Sequence, residues 1–524
     1  MYTRTKTFQN KDGTTRTYLQ IVQTRRIGNK VRQKVIANLG RLEELQEGSL
    51  DRLIEGLTRY SLHQWVKLNA GQLAAKRARQ WGPAIIFGHL WQELGLEEII
   101  NKVTGHHQTD YTLAAFTMVL NRLCDPRSKR GVDKWVDQVY SPGLENLRLH
   151  HYYRALDYLA EHKDEIEEEL FAQIRSLFDL KLDLVFWDTT TTYFEGRGSA
   201  MSEKGYSKDK RPDCQQLVIG VLMTQDGFTV AHQVFPGNMA DIDTFRHCMK
   251  DVTNRFLIGR VILVADRGMV SRKLLGEIQE AGLSYIVGIR MRKAKAMAEV
   301  LSRPGRYQQV AENLKVKEAL YQKERYIICH NPLEAKKDQL CREEMLTSLA
   351  RKLKGGPKKL VGNRGFRRFL KIQNKAVTID QELVSQEARF DGKYVLKTNT
   401  TLTPSEVASS YKSLWQVERA FRELKSNLEL RPVYHWNDRR VEGHIMVCFL
   451  ALVLESALCR RLKEAGSAFS YLDLMDDLSQ LQAVEVELVG KRFLARTEMA
   501  GDTYEVFKAL KIRPPKLIQE MPSE

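Results

Sequence analysis

An α/β fold built on a mixed sheet is what this sequence predicts for its central part, and three observations carry that prediction. Between about residues 180 and 290, three apolar runs of strand length come first, and then helix, strand, helix and strand alternate. Two of the runs end in an aspartate: Asp188 after Leu184-Val185-Phe186-Trp187, and Asp266 after Val261-Ile262-Leu263-Val264-Ala265. A long amphipathic helix beyond Thr403 carries a third acidic residue, Glu418.

In chain order, residues 1–45 read as a small β module. Tyr18–Val22 and Val31–Ile36 are its strands, around a turn at Gly28-Asn29. Arg25, Arg26, Lys30, Arg32 and Lys34 surround that turn, either as a DNA-contacting hairpin or as a solvated basic sheet edge. Residues 46–178 carry helical periodicity, with Ile85–Trp91 and Leu113–Leu120 as buried helices. Basic residues at helix ends (Arg122, Arg127, Lys129, Arg130) suit a helical DNA-binding region; a plain helical packing domain is the blander reading.

From 179 to 460 the chain reads as one α/β domain. Its strands are Leu182–Trp187, Leu217–Met223, Phe228–Phe235, Val261–Ala265 and Tyr285–Ile289, with helices from Asp243 and after Ser271. That order is the one expected of a ribonuclease H-like sheet, with both aspartates at carboxyl ends of strands. More than a hundred residues precede the next good helix. They are read as an inserted β-rich domain at about 292–400, since structureless loops of that length are rare. Residues 351–375 contain no acidic side chain. Lys358, Lys359, Arg364, Arg367, Arg368 and Lys371 there suggest a phosphate-contacting surface, against a solvated basic linker.

The closing helix begins with Thr403-Pro404-Ser405-Glu406, which supplies an N-cap, a proline at the first helical position and a capping-box glutamate. Tyr411, Leu414, Glu418, Arg422 and Lys425 then follow at offsets of three, four, four and three, so they share a face. In the C-terminal region, 461–524, Tyr471, Leu474, Met475, Leu478 and Leu481 form one stripe. It is ordinary core or, if any segment outside the α/β domain mediates dimerisation, a dimer contact.

Composition narrows the classes. The 524 residues carry a net charge of +17, with basic residues spread nearly throughout, which favours a broad polyanion-binding surface. Seven cysteines without a CxxC pair support neither a zinc ribbon nor a disulfide framework, and read as buried thiols in a reducing compartment. The N-terminus shows no apolar leader. The longest apolar run, Ile445–Cys459, is interrupted by Glu455 and too short for a bilayer, so a buried helix, no membrane and a cytoplasmic location are expected.

Carboxylates on strand ends and a facing helix are what a pair of hard divalent cations needs to activate a phosphodiester. Asp188 would bridge two Mg2+ ions, with Mn2+ as a substitute, Asp266 would bind one and Glu418 the other. Tyr411 and Lys425, from the Glu418 face, would reach the DNA backbone. Taken singly, each acidic residue is more often a cap, a turn residue or a solvated helix position. Their order and placement together favour a site.

Trp187-Asp188-Thr189-Thr190, Ala265-Asp266-Arg267-Gly268 and Tyr411-x2-Leu414-x3-Glu418-x6-Lys425 resemble the motifs of insertion-sequence DDE transposases, as do Pro236-Gly237-Asn238 and Phe390-Asp391-Gly392-Lys393-Tyr394. The resemblance covers roughly residues 180–450 and extends to the N-terminal hairpin and Leu39-Gly40-Arg41. It implies cut-and-paste transposition by a homodimer acting on double-stranded terminal inverted repeats, through a DNA hairpin. It also implies an aromatic side chain that holds a flipped base, for which Phe390 and Tyr394 are candidates and strand core is the ordinary reading. The family's helix usually has arginine where this chain has Leu414; Arg422, on the Glu418 face, is the preferred substitute. Two other readings compete: a ribonuclease H-like nuclease without strand transfer, and a catalytically silent DNA-binding protein of transposase descent.

Overall fold

The computed structural model describes all residues except 28–29, 46–47, 59, 61–72, 106–110, 179–183, 257–261, 267–270, 293–295, 355–365, 367, 374–375, 468–469, 489–490 and 522–524. The chain divides into two compact units, one of residues 1–74 with 487–492 and one containing nearly all the rest.

The first unit holds an antiparallel sheet of β1 (Tyr2–Gln9), β2 (Thr15–Ile27) and β3 (Lys30–Arg41), in that order. β1 has no counterpart in the sequence reading. Its residues, Tyr-Thr-Arg-Thr-Lys-Thr-Phe-Gln, alternate β-branched threonine with cations and bury almost nothing, so there is no apolar period to detect. The β1–β2 turn is closed by Asp12, whose carboxylate accepts from the Thr14 amide at 3.0 Å, while Gly13 takes φ +83°. The Gly28-Asn29 turn lies outside the described residues.

The second unit begins at residue 75, within β4 (Leu73–Gln80); a four-stranded sheet has the order β18 (Ile518–Glu520), β17 (Lys491–Arg496), β16 (Gln482–Leu488), β4. Helices Gly82–Glu93 and Tyr111–Cys124 contain the two apolar runs read as buried helices. They and Leu149–Glu161 pack on the 27-residue helix Asp438–Glu464, which is buried along most of its length. Gly443 on that helix leaves no room for a Cβ against the Leu156 backbone. Among the described residues, no helix is long and apolar enough to cross a membrane. The Tyr471–Gln480 helix buries Leu474 and Leu478 in the same core, and the Leu481 carbonyl accepts the amides of Trp81 and Gly82. The stripe considered as a dimer contact is therefore spent on intrachain packing.

The largest sheet has nine strands. β5 (Leu184–Tyr193), β6 (Gln216–Thr224), β7 (Thr229–Pro236), β8 (Ile262–Ala265) and β9 (Ser284–Ile289) form one part. β10 (Gln308–Ala311), β11 (Leu314–Tyr321), β12 (Glu324–His330) and β15 (Lys393–Thr398) form the other, in the spatial order β10-β11-β12-β15-β9-β8-β5-β6-β7. β8 runs parallel to β5 and β9, whereas β6 and β15 are antiparallel to their neighbours. Alternate residues face opposite layers, as a pleated strand requires. Leu184, Phe186, Ile219, Val221 and Val264 join the core of the long helix. Val185, Trp187, Val218, Leu222 and Leu263 join a second core with helices Asp241–Asn254 and Arg272–Glu280.

The segment read as a β-rich insertion thus adds four strands to the edge of this sheet. Among the described residues of this segment, β13 (Leu370–Gln373) and β14 (Ala376–Ile379) pair apart from that sheet, and a small core of Leu349, Phe366 and Phe369 underlies this region. Strand content in a segment is visible locally; which sheet it joins is set by pairing that the local pattern does not encode.

Candidate active site

Asp188 is not at the end of its strand. β5 runs on through four threonines to Tyr193, and Asp188 pairs with Val221 of β6. On its other side, the parallel ladder to β8 is recorded up to Phe186 opposite Val264, and β8 stops at Ala265. Continuing the register by two residues sets Asp188 beside Asp266. Side chains alternate along both strands, so the two aspartates share the face of Phe186 and Val264, away from Trp187. Both therefore emerge where β8 ends, on the layer that also takes Val407, Val417, Ala420 and Leu424.

Asp188 is 23% exposed, and its Oδ1 accepts the Thr189 amide at 2.7 Å. Burial pushes its carboxyl up to about 6, and the neighbouring Asp266 and Asp241 push in the same direction, against Lys208 and the Thr189 amide. The Lys208 ammonium lies 4.0 Å from Asp188 and is itself held by the Thr189 carbonyl at 2.6 Å and hydroxyl at 2.9 Å. That hydroxyl donates to Asp241 at 2.9 Å. Asp266 is exposed and accepts a hydrogen bond from the Tyr411 hydroxyl at 2.8 Å.

The closing helix is two helices. Pro404–Lys412 starts from the expected capping box of Thr403 and Glu406, and Trp415–Lys425 follows after a tight turn at Ser413-Leu414. Tyr411 and Glu418 consequently lie on different helices, and the continuous face inferred from spacing is broken between them. Leu414 packs against the core. Glu418, in the first turn of the second helix, is exposed, as is Arg422. Among the described residues, no three His, Cys, Asp or Glu side chains lie close enough together to hold a metal. The structure thus brings Asp188, Asp266 and Asp241 within electrostatic reach and leaves Glu418 on the helix that packs against β5.

Lys425 does not project toward solvent. Its ammonium pairs with Asp209 at 2.6 Å, and Arg431 pairs with the same carboxylate, which is only 3% exposed. Asp209 also accepts from the Thr191 hydroxyl at 3.2 Å, so it ties the end of the Glu418 helix to β5. Lys208, Asp209 and Asp241 escaped the sequence reading: a Lys-Asp pair in a polar loop carries no spacing signal.

The other predicted contacts are dispersed. Lys358, Lys359, Arg364 and Arg367 lie outside the described residues. Arg368 is exposed, pairs with Glu387 at 3.3 Å and covers the Phe369 ring. Phe390 is half-buried beneath the Arg292 guanidinium. Tyr394, half-buried on β15, stacks on Tyr411 with ring centroids 5.9 Å apart. Both line a pocket of about 440 Å3 beside Asp266, with Met291, Glu334 and Asp338. All seven cysteines are free thiols; Cys248, Cys329 and Cys448 are buried, but Cys341 is exposed and three are intermediate, so burial holds for only part of the set.

A family model described as the Transposase DDE domain matches residues 180–454, and one described as the IS1634 family transposase N-terminal domain matches residues 3–63. No curated protein matches the chain significantly. The first match spans more than half of the sequence and contains Asp188, Asp266 and Glu418; the chain belongs to the DDE transposases of insertion sequences.

Proposed function

We propose that this transposase cleaves DNA at the terminal inverted repeats of its element and joins the ends to a target, with Asp188, Asp266 and Glu418 as the catalytic carboxylates. What supports the reading is the parallel β5–β8 register, recorded up to Phe186 opposite Val264, which continued by two residues would set Asp188 beside Asp266 on the sheet face that the Glu418 helix covers. The strand order β7-β6-β5-β8-β9, with β6 antiparallel, supports a ribonuclease H-like core.

Family membership implies divalent cations. The residues fit that role in one respect: Asp188 is pushed up to about 6 beside two more carboxylates, an excess of negative charge that a cation would relieve. Asp188 and Asp266 would hold the metal, Mg2+ or Mn2+, and Glu418 would complete the set from its helix. When bound, the metals supply activation of the attacking oxygen and stabilisation of the leaving one. The chain's own contributions are orientation and charge. Tyr411 fixes Asp266 by its hydrogen bond, Lys208 neutralises part of the charge on Asp188, and Asp209 holds the helix of Glu418 against β5. Arg422 and the basic surface of the chain would bind backbone phosphates of double-stranded DNA, with two copies of the protein pairing the ends.

A catalytically silent DNA-binding protein is the second reading. Leu414, where the family's helix usually carries arginine, favours it, and the three intact acidic residues count against it. The deciding experiment is cleavage of a labelled duplex carrying the DNA ends that flank the gene, with Mg2+ or Mn2+, beside the Glu418→Ala variant. Metal-dependent nicking at the repeat boundary that the variant loses is expected. Tight, specific binding without nicking under either metal would establish the silent reading.

A further inference from the structure

A second polar cavity lies apart from the three carboxylates. It occupies about 240 Å3 where the end of the Tyr111–Cys124 helix and the start of Lys129–Trp135 meet residues 429–435 and His444 of the long helix. Arg122, Lys129, Arg130, Arg431, His435 and His444 line it, and Glu429 is the one carboxylate among the described lining residues.

Three of these groups are nine-tenths buried or more and incompletely partnered. Lys129 is 3% exposed, and its ammonium has no hydrogen-bond partner among the described residues. His444 is 4% exposed with Nδ1 in the same condition. Arg122, 6% exposed, donates to the carbonyls of Leu428, Glu429 and Arg127, and its Nε finds no acceptor among the described residues. Carbonyls satisfy hydrogen bonds without neutralising charge, so the Arg122 guanidinium keeps its positive charge inside the cavity. Of the lining cations, Arg431 pairs with Asp209 and Arg127 with Asp125, whereas Arg122 and Lys129 have no carboxylate partner among the described residues. Buried cations are normally paired, because removing them from water without a counter-charge is costly. The groups also act on one another: burial and Arg122 push Lys129 down to about 7, and burial with Lys129, Arg440 and Arg122 pushes His435 down to about 4.

We propose that this cavity is an anion site that takes a phosphate group, held by Lys129 and Arg122 at its base and by the exposed Arg130 at its mouth. Phosphate suits it because a tetrahedral anion offers several acceptor oxygens to donors converging from different elements. The phosphate is either a backbone phosphate of a nucleic acid or a free one. The inference rests on the cavity alone and does not require the cleavage chemistry.

The test is the thermal unfolding midpoint of the full chain as inorganic phosphate is titrated at constant ionic strength with chloride. The wild type and the Lys134→Met protein, whose lysine is exposed on the same helix, should show the same saturable rise. Lys129→Met should need at least tenfold more phosphate for half the effect, and Arg130→Gln should shift in the same direction. Glu418→Ala should respond as the wild type does, which separates this site from the catalytic reading. A saturable response that a random-sequence duplex competes away assigns the site to backbone phosphate; one that persists beside bound duplex assigns it to free phosphate. The proposal falls if phosphate gives no saturable rise, or if Lys129→Met responds like the wild type. Should Lys129→Met fail to fold, Arg130→Gln decides by the same criterion.

Discussion

Replacing Asp209 by asparagine should loosen the strap that holds the Glu418 helix to β5. The Asp209 side chain is 3% exposed, Lys425 is 13% exposed and Arg431 is 30% exposed. Burial already holds the Lys425 ammonium below its ordinary range even with Asp209 beside it, so losing the carboxylate leaves two cations facing each other with no counter-charge. Removing one partner of a buried pair costs about 3–5 kcal/mol. Asparagine keeps one acceptor for Thr191 and Arg431 is partly solvated, which sets the expectation near ~3 kcal/mol. At about 2 °C per kcal/mol for a large domain, the unfolding midpoint should fall by roughly 6 °C. Asp213→Asn is the matched control from the same loop: its side chain is 64% exposed and pairs with Arg211 at the surface, where an ion pair contributes less than about 1 kcal/mol. Differential scanning fluorimetry on the two variants, with strand cleavage measured on the same preparations, decides the matter. Cleavage by the Asp209→Asn enzyme should drop more than tenfold below that of the control. If the two variants melt within a degree of each other, Asp209 is not a buried counter-ion and the argument for its positioning role is wrong.

Two further outcomes follow from the charges. Glu455 is 2% exposed on the long helix, and burial, reinforced by Glu423, pushes it up to about 8 from its ordinary 4.5. The folded state therefore keeps a proton that the unfolded chain releases between those values, so this group makes stability fall as pH rises through that window. Glu455→Gln should remove that slope and stabilise the protein by roughly 2–3 kcal/mol at pH 7; denaturant unfolding at pH 5 and pH 8 checks it, and parallel pH profiles for both proteins would contradict it. Binding to duplex DNA should weaken steeply with salt, as expected when many phosphates are contacted by a chain of charge +17. A flat dependence of affinity on salt in a filter-binding or anisotropy titration would remove the argument from charge.

The sequence by itself determined the elements whose signal is local. Strands β5 to β9 show as apolar runs because a sheet covered on both faces buries every residue of its central strands, as in β6. The Thr403-Pro404-Ser405-Glu406 start shows because capping is chemistry between residues three apart. The family could be recognised from the same short-range patterns around Asp188, Asp266 and Glu418. Tertiary structure alone decided the rest. That Asp188 sits within β5, opposite the end of β8, depends on the parallel register between strands some eighty residues apart. That the β-rich segment extends the main sheet depends on β15 pairing with β9, and the break at Ser413-Leu414 leaves Tyr411 bonded to Asp266 while Glu418 lies in the first turn of a new helix. Lys425, legible as a surface cation, is drawn inward by Asp209 from a loop more than two hundred residues earlier. Periodicity encodes which face of an element is apolar; which charges meet across that face is set by long-range packing, and no local pattern carries it.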